Sequence, residues 1–159
     1  MDYENYEINK DTLAILPLGE NNSKVMETEA EYNLNVPSFS VIEHSCSYFG
    51  SSYKGRHEGT KELLGITHKA PIVIEESSKM IFFPTASPIN GDCIWLSLDN
   101  ISKYYKSINP KCSIIEFKNG YKVELAVSIG SLSNQILRAT RLRVVLEDRI
   151  NKKALKTLE

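Results

Sequence analysis

Apolar positions along this chain change period several times, and each change marks an element. The run Leu13-Ala14-Ile15-Leu16 is continuous and apolar, so residues 12–17 read as a strand buried on both faces. A short strand over 6–8 precedes it, joined at Asn9-Lys10-Asp11. Residues 19–23 form a turn cluster, and loose alternation through Val25, Tyr32, Leu34 and Val36 predicts one or two strands. After Pro37 the period becomes helical. Val41, Ile42, Ser45, Cys46 and Phe49 predict a helix over 38–49, with Gly50 as its C-cap. A second helix is predicted over 53–64, capped by Ser51 or Ser52 and stopped at Gly65. The pair has a helix-turn-helix outline, but internal glycines make the second member a poor rigid reading helix.

Apolar runs over 68–74 and 80–84 flank the turn Glu75-Glu76-Ser77-Ser78-Lys79 and predict a hairpin. Residues 86–92 are a loop, and 94–98 a strand holding the single tryptophan, Trp95, which belongs to the core with Phe82 and Phe83. Residues 113–117 and 121–127 flank Lys118-Asn119-Gly120, and Asn-Gly between apolar runs is a strong hairpin signal. The last element is a long helix over 131–153. Leu132, Ile136, Ala139, Leu142, Leu146 and Ile150 form its apolar stripe. At about 100° per residue, Arg138, Arg141, Arg149 and Lys152 fall opposite that stripe. Leu137 and Val144 lie on a flank, a seam for a second copy. The expected fold class is α+β: one domain over 1–159, mostly antiparallel strands, with a central helix-turn-helix-like segment and a long C-terminal helix.

Charge sharpens this picture. The net charge is −1, yet residues 1–43 hold nine acids against two cations, while residues 131–159 hold seven cations against three acids. An acidic front and a basic end predict a one-sided electrostatic surface. Three widely spaced cysteines, Cys46, Cys93 and Cys112, form no disulfide framework and read as reduced thiols. His44, Cys46, His57 and His68 lack paired ligand spacing, so neither metal nor cofactor is expected. No apolar run reaches the roughly 20 residues of a membrane span. The acidic start Met1-Asp2-Tyr3-Glu4 is unlike a signal peptide, so a cytoplasmic protein without a membrane partner is expected.

The candidate chemistry centres on residues 46–60, which contain three of the eight glycines. Gly50 and Gly55 have P-loop spacing, but Arg56-His57 stands where Lys-Ser/Thr is required. Ser51, Ser52, Lys54 and Arg56 instead suit an anion held by hydroxyls, amides and cations. Lys69 beside Pro71, and Arg138, Arg141 and Arg149 on the long helix, are further DNA-binding candidates; Arg143 lies near the apolar stripe. Cys46 with His44, or Ser51 and Ser52 with His57, have neither facing geometry nor an orienting acid, so no enzyme is expected. On the residues alone, a DNA-binding regulator and a non-enzymatic interaction module both stand.

The segment Phe49-Gly50-Ser51-Ser52-Tyr53-x-Gly55-Arg56-x-x-Gly59-Thr60 resembles the signature of the ComK family of competence transcription factors. The resemblance continues in order through His68-Lys69-x-Pro71-Ile72, Phe83-Pro84-Thr85, Cys93-x-Trp95, Phe117-x-Asn119-Gly120, Asn134-Gln135 and Asp148-Arg149-Ile150. It implies a transcriptional activator of competence and DNA-uptake genes, with no catalytic step and no cofactor. Such proteins bind paired A/T-rich boxes of double-stranded DNA as oligomers, largely from the minor groove. The implied partners are DNA, further copies of the chain and RNA polymerase. Family members are also delivered to a Clp protease by an adaptor that reads a Phe-x-x-Pro-like segment in a longer C-terminal tail. That segment is missing before Glu159, so adaptor-driven proteolysis is not expected here. Ile94 replaces a glycine before the tryptophan, and Arg141 stands where an apolar residue is commoner. A C-terminally short paralogue that modulates a full-length regulator, as a decoy, is the alternative.

Overall fold

The computed structural model describes residues 2–3, 5–78 and 80–158, with side chains over 5–78 and 80–152. The strands are β1 (Asp2–Tyr3), β2 (Thr12–Pro17), β3 (Ser23–Glu27), β4 (Glu31–Leu34), β5 (Ile72–Glu75), β6 (Met80–Pro84), β7 (Trp95–Ser97), β8 (Ile101–Lys106), β9 (Ser113–Phe117) and β10 (Lys122–Leu125). The helices are α1 (Ser38–Tyr48), α2 (Tyr53–Leu64) and α3 (Ile129–Leu158). One sheet has the order β1-β4-β3-β2-β7-β6-β5, and a second has β10-β9-β8. The pairings are antiparallel except β1 with β4. This is the expected α+β class. No helix among the described residues is long and apolar enough to cross a membrane.

Successive strand side chains point to opposite faces, and that alternation divides the core. Ile15, Val25, Ile72, Ile74, Phe82 and Trp95 face one way, against Val41, Ile42 and Cys46 of α1. Ala14, Met26, Val73, Ile81, Phe83 and Leu96 face the other way, against Leu132, Ala139 and Leu142 of α3 and Ile115, Phe117 and Leu125 of the small sheet. The large sheet is thus a filling between α1 and a layer made of α3 and the small sheet. Continuous apolar runs in β2, β6 and β7 follow from this, because both of their faces are covered. Trp95, Phe82 and Phe83 are buried as expected. Both expected hairpins form, β5 with β6 and β9 with β10.

One expectation changes. Residues 6–8 are not a strand. The Ile8 amide donates to Ser45 Oγ of α1 at 3.0 Å, and the Tyr6 hydroxyl bonds Thr12 Oγ1 at 2.8 Å and the Glu27 carboxylate, so side chains hold this segment. Ser23–Glu27 and Glu31–Leu34 are two separate strands. Residues 101–106 form β8 at the edge of the small sheet.

Candidate nucleic-acid interface

The turn between α1 and α2 is built by backbone hydrogen bonds. Gly50 has φ +85°. The Ser51 amide donates to the Cys46 carbonyl, and the Gly50 amide to the Ser47 carbonyl, each at 3.0 Å. This is the Schellman closure of a helix, with glycine at its left-handed position. Ser52 then caps α2, its Oγ accepting from the Gly55 amide at 2.9 Å. A Cβ on Gly55 would lie 3.2 Å from both Ser51 Oγ and Ser52 Oγ, so glycine lets the two hydroxyls fold over the helix start. Ser51 and Ser52 therefore shape the turn, with the Ser52 hydroxyl oxygen accepting from the α2 backbone.

Lys54 is exposed. Arg56 is not. Its side chain is 14% exposed, and one guanidinium N–H donates to Glu76 Oε1 at 2.9 Å. Its Nε–H is buried without an acceptor. The group lines a cavity of about 160 Å³ between α2 and α3, with Gly55, Gly59, Thr60, Leu63, Val73, Glu76, Leu142 and Leu146. The expected pairing of Lys54 and Arg56 on one open loop is thus replaced by one solvated cation and one sequestered, half-neutralised one.

The segment between α2 and β5 is clamped from both sides. From α2, Thr60 Oγ1 donates to the Pro71 carbonyl at 2.6 Å, and His57 Nε2 lies 2.8 Å from the Thr67 carbonyl. From α3, Gln135 Nε2 donates to the carbonyls of Lys69 at 2.9 Å and Pro84 at 2.7 Å, and Arg138 donates to the His68 carbonyl at 2.9 Å. Lys69 adopts φ +49°, a left-handed conformation that costs a non-glycine residue roughly 1–2 kcal/mol. The clamp holds it there. A depression of about 140 Å³ results, lined by His68, Lys69, Thr85, Ser131, Asn134, Gln135 and Arg138, with no acidic side chain in its wall. Lys69 and Arg138 meet here although they are far apart in sequence. Arg141, about one turn further along the same flank of α3, is exposed and has no ion pair among the described residues. Arg149 is exposed two turns beyond Arg141.

The arginines do not crown α3. Its outward face carries Leu137, 62% exposed, and Val144, 58% exposed, along with exposed Thr140 and Asp148. Arg138 lies to one side of it, against the clamped segment. On the other flank Arg143 pairs with Asp99, and the Tyr104 hydroxyl lies 3.5 Å from Ser133 Oγ. The stripe expected opposite the arginines ends early, because Ile150 is 45% exposed. Sequence reasoning missed His68, Ser131 and Asn134 as lining residues. Their signal was the conspicuous pairs His68-Lys69 and Asn134-Gln135, which only the fold brings together.

No catalytic arrangement involves Cys46, which lies buried in α1 with burial pushing its thiol up to about 11. Burial likewise pushes the Cys93 thiol up to about 11.

The family model described as "ComK protein" matches residues 3–151. The chain belongs to the ComK family. It is similar to a competence transcription factor of Bacillus subtilis (strain 168), 36% identical over 159 residues, covering 98% of this chain and 82% of that relative. No solved structure matches it. Three separate ComK-like stretches, His68-Lys69, Phe83-Pro84-Thr85 and Asn134-Gln135, converge at the acid-free depression.

Proposed function

We propose that this ComK-family chain is a DNA-binding transcriptional activator of competence and DNA-uptake genes. It binds A/T-rich boxes as an oligomer, through phosphate and minor-groove contacts, and works with RNA polymerase. The observation that carries this reading is the depression lined by Lys69, Arg138, Asn134 and Ser131 without an acid, with Arg141 exposed beside it. Lys69 and Arg141 neutralise phosphates and release counterions. Arginine also suits the narrow minor groove of A/T-rich DNA, where the negative potential is strongest. Arg138, already donating to the His68 carbonyl, fixes the segment that presents Lys69. Lys54 and Arg149 extend the contact to either side, and Arg56 contributes from within the α2–α3 groove.

The deciding experiment is fluorescence anisotropy with an A/T-rich and a G/C-rich duplex across a salt series. Tighter, salt-sensitive binding to the A/T-rich duplex is expected. Absence of binding to either duplex at low salt would move the function to a protein-interaction or decoy role.

A further inference from the structure

The ribbon of β8 and β9 ends in a tip, residues 107–112, whose outward side chains pack on nothing in the chain. Its backbone is set locally. The Cys112 amide donates to the Asn109 carbonyl at 3.0 Å, so Asn109-Pro110-Lys111-Cys112 is a β-turn. The Lys111 amide also donates to Asn109 Oδ1 at 3.0 Å. Asparagine supplies that acceptor and proline presets φ at the next position, which makes the turn stiff. The Ser107 amide closes the loop on the Cys112 carbonyl at 3.2 Å. Ile108 is 103% exposed, the most exposed large apolar residue among the described residues.

The charge around Ile108 is one-sided. Lys106 and Lys111 flank it, both exposed and without an ion pair among the described residues. No acid occurs between Asp99 and Glu116. Further down the ribbon the cations are partly neutralised, because Lys103 and Lys122 lie 3.7 and 4.0 Å from Glu116. Glu124, at the root of the tip, accepts from the Ser107 hydroxyl at 3.0 Å. A lone exposed apolar side chain needs no explanation. Ile89 is such a case: it is 87% exposed, in a loop with Asp92 and no cation. Ile108 differs in being held between two free lysines on a stiff tip.

The tip also lies near the proposed DNA surface. Ser113 Oγ, just behind it, donates to the Val127 carbonyl at 2.6 Å, and Tyr104 on the adjoining strand reaches Ser133 of α3. The tip end of the ribbon is therefore the end where α3 begins, and the depression holding Lys69 opens on the first turns of α3. At about 3.3 Å per residue, Ile108 reaches up to about 13 Å beyond Tyr104.

We infer that the 107–112 tip is a minor-groove wedge: Ile108 enters a base step of A/T-rich DNA while Lys106 and Lys111 meet the phosphates on either side. A minor groove about 6 Å wide admits a side chain but not a helix. An apolar side chain inserted there partly unstacks the step, and T-A steps open most readily. This deepens the proposed function by naming the element that enters the groove, and it rests on that reading.

A set of A/T-rich duplexes, with 2-aminopurine replacing adenine at one T-A step at a time, tests it. Binding should raise the fluorescence at one step, where stacking is lost. Ile108→Ser should abolish that rise and weaken binding about tenfold, the scale of one lost anchor. It should leave the salt slope unchanged, because no charge is removed. Lys106→Ala combined with Lys111→Ala should instead lower the slope by about two and keep the rise at saturation. All three positions are exposed, so the melting temperature should not move. Binding with a silent probe at every step overturns the wedge alone, and so does an Ile108→Ser protein that matches the wild type in affinity and fluorescence. A wild-type chain that binds no duplex at low salt overturns the DNA reading and the wedge with it.

Discussion

Helices α1 and α2 follow one another across a short turn and are almost equal in length, yet they do opposite work. α1 buries Ser38, Val41, Ile42, Ser45 and Cys46 and seals one face of the large sheet. α2 buries only Thr60. It is fixed by its Ser52 cap, by its left-handed Gly65 end, and by hydrogen bonds from Thr60 and His57 to the following segment. One helix is held mainly by apolar area; the other packs Tyr53, Leu63 and Leu64 at the edges of the core and adds these polar bonds. The outer surface of the second is consequently left available for other contacts. The comparison teaches that a helix-turn-helix outline in sequence says little about which helix, if either, meets DNA. Here the acid-free cationic surface lies beyond α2, where the clamped segment meets α3.

The contrast can be broken most forcefully in α1. Ile42→Ala should cost about 2–5 kcal/mol, because it opens a cavity in a closed layer, and thermal or denaturant unfolding reads this directly. Thr60→Val should cost less, about 1–3 kcal/mol, by leaving the buried Pro71 carbonyl without its donor. It should also loosen the Lys69 segment, so DNA affinity should fall together with stability. Affinity that survives the loss of stability would detach that segment from the interface. Ser52→Ala should remove about 1 kcal/mol of helix capping with the α1 layer intact.

Surface charges sharpen the comparison without touching the fold. Arg141→Ala should leave stability within about 0.5 kcal/mol, lower affinity for the A/T-rich duplex and reduce the salt slope by about one. An unchanged slope would remove Arg141 from the interface. Arg56→Ala should behave differently, with a stability change as well as an affinity change, because its side chain is mostly buried against the groove. The smallest effect belongs to Glu75 in the β5–β6 turn. Hydroxyl hydrogen bonds from Ser77 and Ser78 hold its carboxyl down to about 2. Their amides add to this. A depressed carboxylate contributes order that is present above the ordinary value of about 4.3 and is lost as pH falls from there through about 2. Amide protection factors in this turn, relative to the intrinsic rate at each pH, should therefore fall over that window in the wild type, while Glu75→Gln should be loose throughout. Equal, pH-independent protection in both proteins would show that the carboxylate does not order the turn.

Several features were open to reading because their causes are local. The Schellman turn at Gly50, the Ser52 cap and the Asn119-Gly120 hairpin depend on a few adjacent residues. The α+β class followed from the switch between periods of two and 3.6. The site was less legible. Lys54 and Arg56 are near neighbours in sequence, but their fates differ because Glu76 and α3 arrive from elsewhere. Arg138, Arg141 and Arg149 appeared to stand opposite the apolar stripe. Helical period gives only angles about the axis; which side then meets water depends on where α2 and the clamped segment pack.

The sequence alone determined most of the elements, the two-sided burial of β2, and the family to which the chain belongs. These depend on patterns within a few turns or strands, and on an ordered set of motifs that needs no coordinates. Only the tertiary structure decided that His68, Lys69, Asn134, Gln135 and Arg138 share one depression, that Arg56 is sequestered, and that Leu137 and Val144 stand exposed on α3. Those outcomes come from long-range packing. Gln135 bonds carbonyls 66 and 51 residues away in the chain, a relation that no local period encodes.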